Sequence, residues 1–433
     1  MTTLNFFSNT SPHGQRLTSL RRRFSMSPVG CDALLFGISS LFALVVAFES
    51  KIPLYRQWGQ MALGVYVAAT LAGLGLILVS RRRSVQALRG WLTALVVVGT
   101  VLIPLSFEVH WRFSVTPQSL HVQPEVVVIE NAANFLAHGH DPYQAIVVNG
   151  TLQGGSPGLP AYESFFPYLP AMTLFGLPAA TPLPKEATDA RLYFVFGTLL
   201  AVVLALWYAP TSNNRRLRAF QVAIALPWAA LTMVTGGDDL PIIGLLLAGM
   251  VLAQRRRPGW SGIAFGVACA MKFTAWPVAL LALFAARDAT GKRRPWLLTL
   301  GAGVIVVPCV VGGLIWNPQT FIANVVQFPL GLAGIESPAG SALPGHILVT
   351  AFPWIRQLFV GVCSVAGALA ILWYLWKRPP QDAAKVCQVS ATVLLIAILL
   401  APSTRIGYLL YPLNLFVWSW MLSPESEEML SPL

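Results

Sequence analysis

The chain has 433 residues, of which 55% are apolar and only 11% charged, with a mean hydropathy of +0.65. An average soluble chain carries about 25% charged residues, so a soluble globular enzyme is excluded and the solvent is lipid. The 29 Lys and Arg against 17 Asp and Glu leave a net charge of +12, which the positive-inside rule accounts for without nucleic acid. Cys31, Cys269, Cys309, Cys363 and Cys387 lie in or beside apolar runs with no paired spacing, which suggests neither a disulfide framework nor a zinc site.

Residues 1–30, with Arg16 and Arg21-Arg22-Arg23, read as a retained basic tail on the cytoplasmic side. Apolar runs approaching the ~20 residues a bilayer requires follow near 31–49, 60–80, 91–106, 191–209, 219–235, 240–254, 296–313, 358–376, 384–400 and 408–422. The stretch from Gly259 to Ala286 lies between two basic clusters, Arg255-Arg256-Arg257 and Lys292-Arg293-Arg294. Both belong on the cytoplasmic side, so the stretch must go out and return, as a hairpin of two short helices broken around Met271-Lys272-Phe273-Thr274. Residues Pro167 to Ala180 read as interfacial or re-entrant, because a full span there would carry Arg215, Arg216 and Arg218 outside.

The expected fold is an all-α polytopic membrane protein with about twelve crossings. One transmembrane domain covers 31–422, and residues 423–433 form a cytoplasmic tail. Two long external connections, near 107–190 and 314–357, carry short interfacial helices. Connections this long inside a compact domain are usually functional.

In the first connection, Pro124 to Gly139 has a proline at a first helical position, acids in the early turns and a terminating glycine, which predicts a short helix. Helical phase puts Glu125 with Val128, Ile129, Ala132 and Leu136, and Glu130 with Asn134 on the opposite, polar face. A carboxylate on a packed face is a candidate general base; complementing the helix N-terminus is the plainer alternative. The aromatic residues downstream, Tyr143 in His140-Asp141-Pro142-Tyr143 and Tyr168 in Phe166-Pro167-Tyr168-Leu169-Pro170 among them, suit a carbohydrate or lipid platform, although interfacial aromatic belts are common.

Later in the chain, Asp238 and Asp239 follow Gly236-Gly237 at a helix start, Lys272 is the one basic residue inside the apolar hairpin, His346 follows Leu343-Pro344-Gly345 in the second connection, and Arg405 ends an Ala-Pro-Ser-Thr-Arg run. A cation within the membrane is functional by default because leaving it unpaired costs several kcal/mol, against which stands snorkelling toward headgroups. The aspartates either orient sugar hydroxyls, pair with Lys272, or simply begin a helix. Arg405 offers a planar fork suited to phosphate oxygens, or an interfacial anchor, and His346 either a group for phosphate binding or proton transfer or a loop histidine with no role.

Taken in order, the Gly139-x-x-Pro142-Tyr143 turn, the aromatic-Pro-Tyr168-x-Pro segment, Gly236-Gly237-Asp238-Asp239 and Ala270-Met271-Lys272-x-x-x-Trp276-Pro277 resemble the actinobacterial branch of glycosyltransferase family 87, over roughly residues 91–422. These are membrane transferases of the GT-C class, similar to mycobacterial mannosyltransferases. The resemblance implies an inverting hexosyltransferase, mannosyl by analogy, working on the outer face of a plasma membrane. Its donor would be a polyprenyl-phosphate sugar and its acceptor a glycolipid or cell-wall glycan, with no cofactor and no metal site. Glu125 matches the family's catalytic acid, although the family usually has Asp there. Lys272, Arg405, His346, Asp238, Asp239, Tyr143 and Tyr168 are then the expected substrate-binding residues. A transporter or flippase of the cell envelope is the rival class, favoured by the broken hairpin but unsupported by any internal repeat.

Overall fold

The computed structural model describes residues 27–80, 85–154, 160–335 and 339–424. Arg16, Arg21, Arg22 and Arg23 and most of both expected tails lie outside the described residues. The described chain is helical apart from one small hairpin, β1 (Ile146–Val148) with β2 (Thr151–Gln153), turned by Asn149-Gly150 with both residues at positive φ.

Helices α1 (Pro28–Glu49) and α2 (Pro53–Ser80) form an antiparallel pair in which glycines let the backbones meet: a Cβ on Gly59 would lie 2.6 Å from the Ala47 nitrogen. Helix α3 (Gln86–Ser114) leads into the first long connection, which holds α4 (Pro124–Ala137). The chain returns through α5 (Ala190–Tyr208) and rises again through α6 (Asn213–Ala225) and α7 (Pro227–Thr235), which meet at a 42° bend. Pro227, with no N–H to donate and a ring that excludes a helical conformation from Leu226, is the cause.

Next come α8 (Asp239–Gln254), α9 (Pro258–Cys269), α10 (Trp276–Ala282) and α11 (Pro295–Trp316). The second connection carries α12 (Pro318–Ile322) and α13 (Pro344–Ala351), and α14 (Arg356–Lys377), α15 (Ala383–Leu400) and α16 (Leu410–Leu422) complete the chain.

Among the described residues, seven helices are long and apolar enough to cross a membrane, or eight if the bent α6–α7 pair is one span. The other four of the twelve expected crossings are not shown by this measure. The apolar runs near 240–254, 259–286 and 408–422 fold into helices of 16, 12, 7 and 13 residues, below the ~20 needed to traverse the hydrocarbon. The segment near 167–180 forms two short 3₁₀ turns rather than a span.

The stretch between the two basic clusters is a hairpin. Gly291 comes back beside Arg256, with its missing Cβ 3.7 Å from Nη1. Helix α9 runs parallel to α11, with Gly262 against Leu298 and Gly266 against Ala302. Basic residues gather at this end: Arg255 donates to the Tyr208 carbonyl at 2.8 Å, Arg215 to that of Ser423 at 2.7 Å, and Asp32 is held between Arg89 and Arg218. Both long connections lie at the other end. Helix α14 contributes no buried residue, so its apolar surface is open on all sides.

Candidate functional site

Helix α4 begins at Pro124, preset for a first helical turn, and places Glu125 at the positive end of the helix dipole. The Gln123 N–H donates to the Thr235 carbonyl at 3.1 Å, which pins the helix start to the end of α7. Gly236, at φ 129°, leaves room that a Cβ would take from Val126, 2.5 Å away. Val128, Ile129 and Ala132 are buried as the helical phase predicts, joined by Val126 and Ala133.

Glu125 makes an ion pair through Oε1 with Arg405. Its second oxygen, Oε2, is buried and has no hydrogen-bond partner. A buried polar atom without a partner is costly, and a donor brought to this oxygen would relieve that cost. Glu130, expected on an open polar face with Asn134, is instead part of a buried joint. Arg112 donates to it at 2.6 and 3.0 Å and to Asp189 at 2.8 Å, and Glu130 also accepts the Ala190 N–H at 2.9 Å. Glu130 therefore meets the first turn of α5, whereas Asn134 on the same face stays exposed.

The turn of the α9–α10 hairpin rises beside this helix. The Leu169 and Ala171 N–H groups donate to the Met271 and Ala270 carbonyls at 2.9 and 3.1 Å, which fixes the turn against the first connection. Lys272 Nζ reaches Asp238 at 2.9 Å and Asp239 at 2.5 Å, under the rings of Tyr168 and Tyr408 at 5.3 and 5.5 Å from their centroids. Of the readings open for the aspartates, pairing with Lys272 is the one the geometry realises.

Tyr411 donates to Asp239 at 2.6 Å and accepts from Thr274 at 2.9 Å. One ammonium faces two carboxylates, and the balance shows. Burial pushes Asp238 up to about 6, offset in part by Lys272 and reinforced by Asp239. Burial works against the Lys272 charge, but the two carboxylates hold it well above its ordinary value.

The two clusters adjoin: Tyr408, whose ring lies over Lys272, follows Arg405 by three residues, and Arg405 pairs with Glu125. The second long connection arrives alongside: Gly340 bridges to Thr404, the Ser341 N–H donates to the Thr404 carbonyl at 2.9 Å, and His346 Nδ1 donates to the Pro402 carbonyl at 2.8 Å. His346 thus braces the backbone leading to Arg405.

Tyr143 and Tyr168, both expected on a platform, are instead buried, Tyr168 packed against Phe166 and over Lys272 and Tyr143 behind it. The Tyr143 hydroxyl donates to the Tyr168 carbonyl at 2.9 Å and its ring packs edge-on to Phe321 at 5.0 Å, so it supports Tyr168 from behind. Sequence reasoning missed Tyr408, Tyr411 and Thr274. The three-residue spacing of the tyrosines just after Arg405 was the available signal, since it puts both on one helical face.

A model of glycosyltransferase family 87 matches residues 166–402, a narrower range than the 91–422 of the sequence resemblance. Tyr168, Asp238, Asp239, Lys272 and His346 fall inside the match, whereas Glu125, Tyr143 and Arg405 fall outside it. No curated protein matches the chain.

Proposed function

The chain belongs to glycosyltransferase family 87 and is a multi-pass membrane glycosyltransferase, and on that premise we propose that it transfers a hexosyl residue, mannosyl by analogy, from a polyprenyl-phosphate donor to a lipid-linked or cell-wall glycan. Transfer is inverting and takes place on the outer face of the plasma membrane. The observation that carries the reading is Glu125, whose Oε2 is buried without a partner while Oε1 is held by Arg405.

In a single displacement the acceptor oxygen attacks the anomeric carbon from the face opposite the phosphate. Its proton passes to Glu125 Oε2, and the bond from the anomeric carbon to the phosphate oxygen breaks, its electron pair leaving with the phosphate. Asp238 and Asp239 accept hydrogen bonds from sugar hydroxyls, with Lys272 and Tyr411 fixing them and Tyr168 packed over Lys272. Arg405 and Lys272 are the inner cations facing the donor, and His346 holds Arg405 in register. The gathering of Arg215, Arg255 and Arg287 at the opposite end supports an outward-facing site.

The test is transfer of radiolabelled mannose from polyprenyl-phosphate mannose by membranes containing the overexpressed chain, followed by lipid and wall fractionation. Label in a glycolipid or wall fraction with the wild type, and none with Glu125→Gln, is the expected result. Equal transfer by both would remove Glu125 from the reaction.

A further inference from the structure

The inner site has two cations, Lys272 and Arg405, against three carboxylates, Asp238, Asp239 and Glu125. Neither cation is free. A phosphate-linked donor adds a negative charge, and the leaving phosphate gains a second as it takes the electron pair of the broken bond. Charge that develops in the reaction is stabilised only by a group not already neutralised.

Arg356 is such a group. Among the described residues its guanidinium has no hydrogen bond or ion pair, and it is half-buried rather than free in water. A glycine makes its place: a Cβ on Gly331, at φ 69°, would lie 2.6 Å from Arg356 Nη1 and 3.5 Å from Ser403 Oγ. Ser403 stands two residues before Arg405 in the run anchored by His346 and Gly340. Arg405 itself is extended, at φ −119° and ψ 139°, and two residues of extended chain span about 7 Å. Arg356 also opens α14, where the helix's own positive end disfavours a cation unless an anion is shared between them.

We propose that Arg356 and the Ser403 hydroxyl form an outer subsite for a lipid-linked phosphate, beside the Glu125–Arg405 pair, which also holds the charge left on the departing phosphate. The identity of the leaving group rests on the transferase reading above; the phosphate site does not.

Dodecyl phosphate titrated into the full chain in phosphatidylcholine nanodiscs tests this, with binding followed by tryptophan fluorescence. Arg356→Gln is expected to weaken binding about tenfold or more, the scale of one charge-assisted contact, and Arg356→Lys by less. Should Arg356→Gln not fold, Ser403→Asp neutralises the guanidinium in place and must cost a similar factor. Unchanged affinity in a folded Arg356→Gln or Ser403→Asp variant overturns the subsite.

Inorganic phosphate competing as well as dodecyl phosphate would overturn its assignment to a lipid-linked ligand, as would displacement by phosphatidylglycerol at the same mole fraction. If dodecyl phosphate behaves as expected while the wild type transfers no sugar from any polyprenyl-phosphate donor, the subsite stands and the transferase donor is wrong.

Discussion

Glu125 and Arg405 meet across the site from distant parts of the chain, and the pairing uses only one of the two carboxylate oxygens. The guanidinium on Oε1 fixes the direction of the carboxylate and leaves Oε2 buried without a donor. An incoming hydroxyl would supply that donor.

Glu125→Gln keeps the shape of the side chain but removes its basicity. Turnover is expected to fall by ~10² to 10⁴, the usual contribution of a general base, with donor KM little changed. Glu130→Gln is expected to behave differently. It weakens the joint with Arg112 and the α5 N-terminus and lowers the melting temperature, while turnover per folded molecule stays near wild type. Single-turnover rates alongside thermal unfolding separate the two, and reversed outcomes would move the site to Glu130.

Lys272→Met leaves Asp238 and Asp239 facing each other without a cation. Removing one partner of a buried pair costs about 3 to 5 kcal/mol, so both stability and donor affinity are expected to drop. Lys272→Met with Asp239→Asn should recover much of the stability but not the affinity. A double variant as unstable as the single one would show that the pair contributes no coupling.

Asp238 sets a pH dependence with two readouts of opposite sign. Its folded value of about 6 lies above its ordinary 3.8, so the folded state binds this proton more tightly than the unfolded state. The associated stability is complete below pH 3.8 and is lost as pH rises through about 6. Turnover, which uses the ionised carboxylate, is expected to rise over the same interval. In Asp238→Asn the inflection near pH 6 should vanish from both melting and rate profiles; its persistence in either assigns it to another group.

The side of the membrane is open to labelling. In a background lacking the five cysteines, Thr151→Cys in the first connection should react with an impermeant thiol reagent in intact cells, whereas Lys292→Cys should react only after lysis. The opposite pattern would turn the site inward.

Local features were legible in the sequence, and long-range ones were not. Pro124 and Gly139 bracketed α4 because helix ends are set by the residues at them. The two basic clusters implied the α9–α10 hairpin because charge resists the hydrocarbon. The Glu125–Arg405 pair, the Arg112–Glu130–Asp189 joint and the burial of Tyr143 join residues far apart in the chain, and such contacts leave no periodicity behind. Four of the expected crossings are not matched by a full-length helix, because hydropathy registers how apolar a run is and not how many of its residues stay helical. Breaks at Gly236-Gly237 and around Lys272 shorten the helices there.

The close fit of Gly262 and Gly266 against α11 makes α9 a strut seated on the width of a hydrogen atom. Twelve residues long, it spans about 18 Å and carries Lys272 just past its tip. One methyl group added at the seat would tilt the strut and carry the ammonium away from its two carboxylates. The position of the Lys272 charge is thus set by glycines within the helix that carries it.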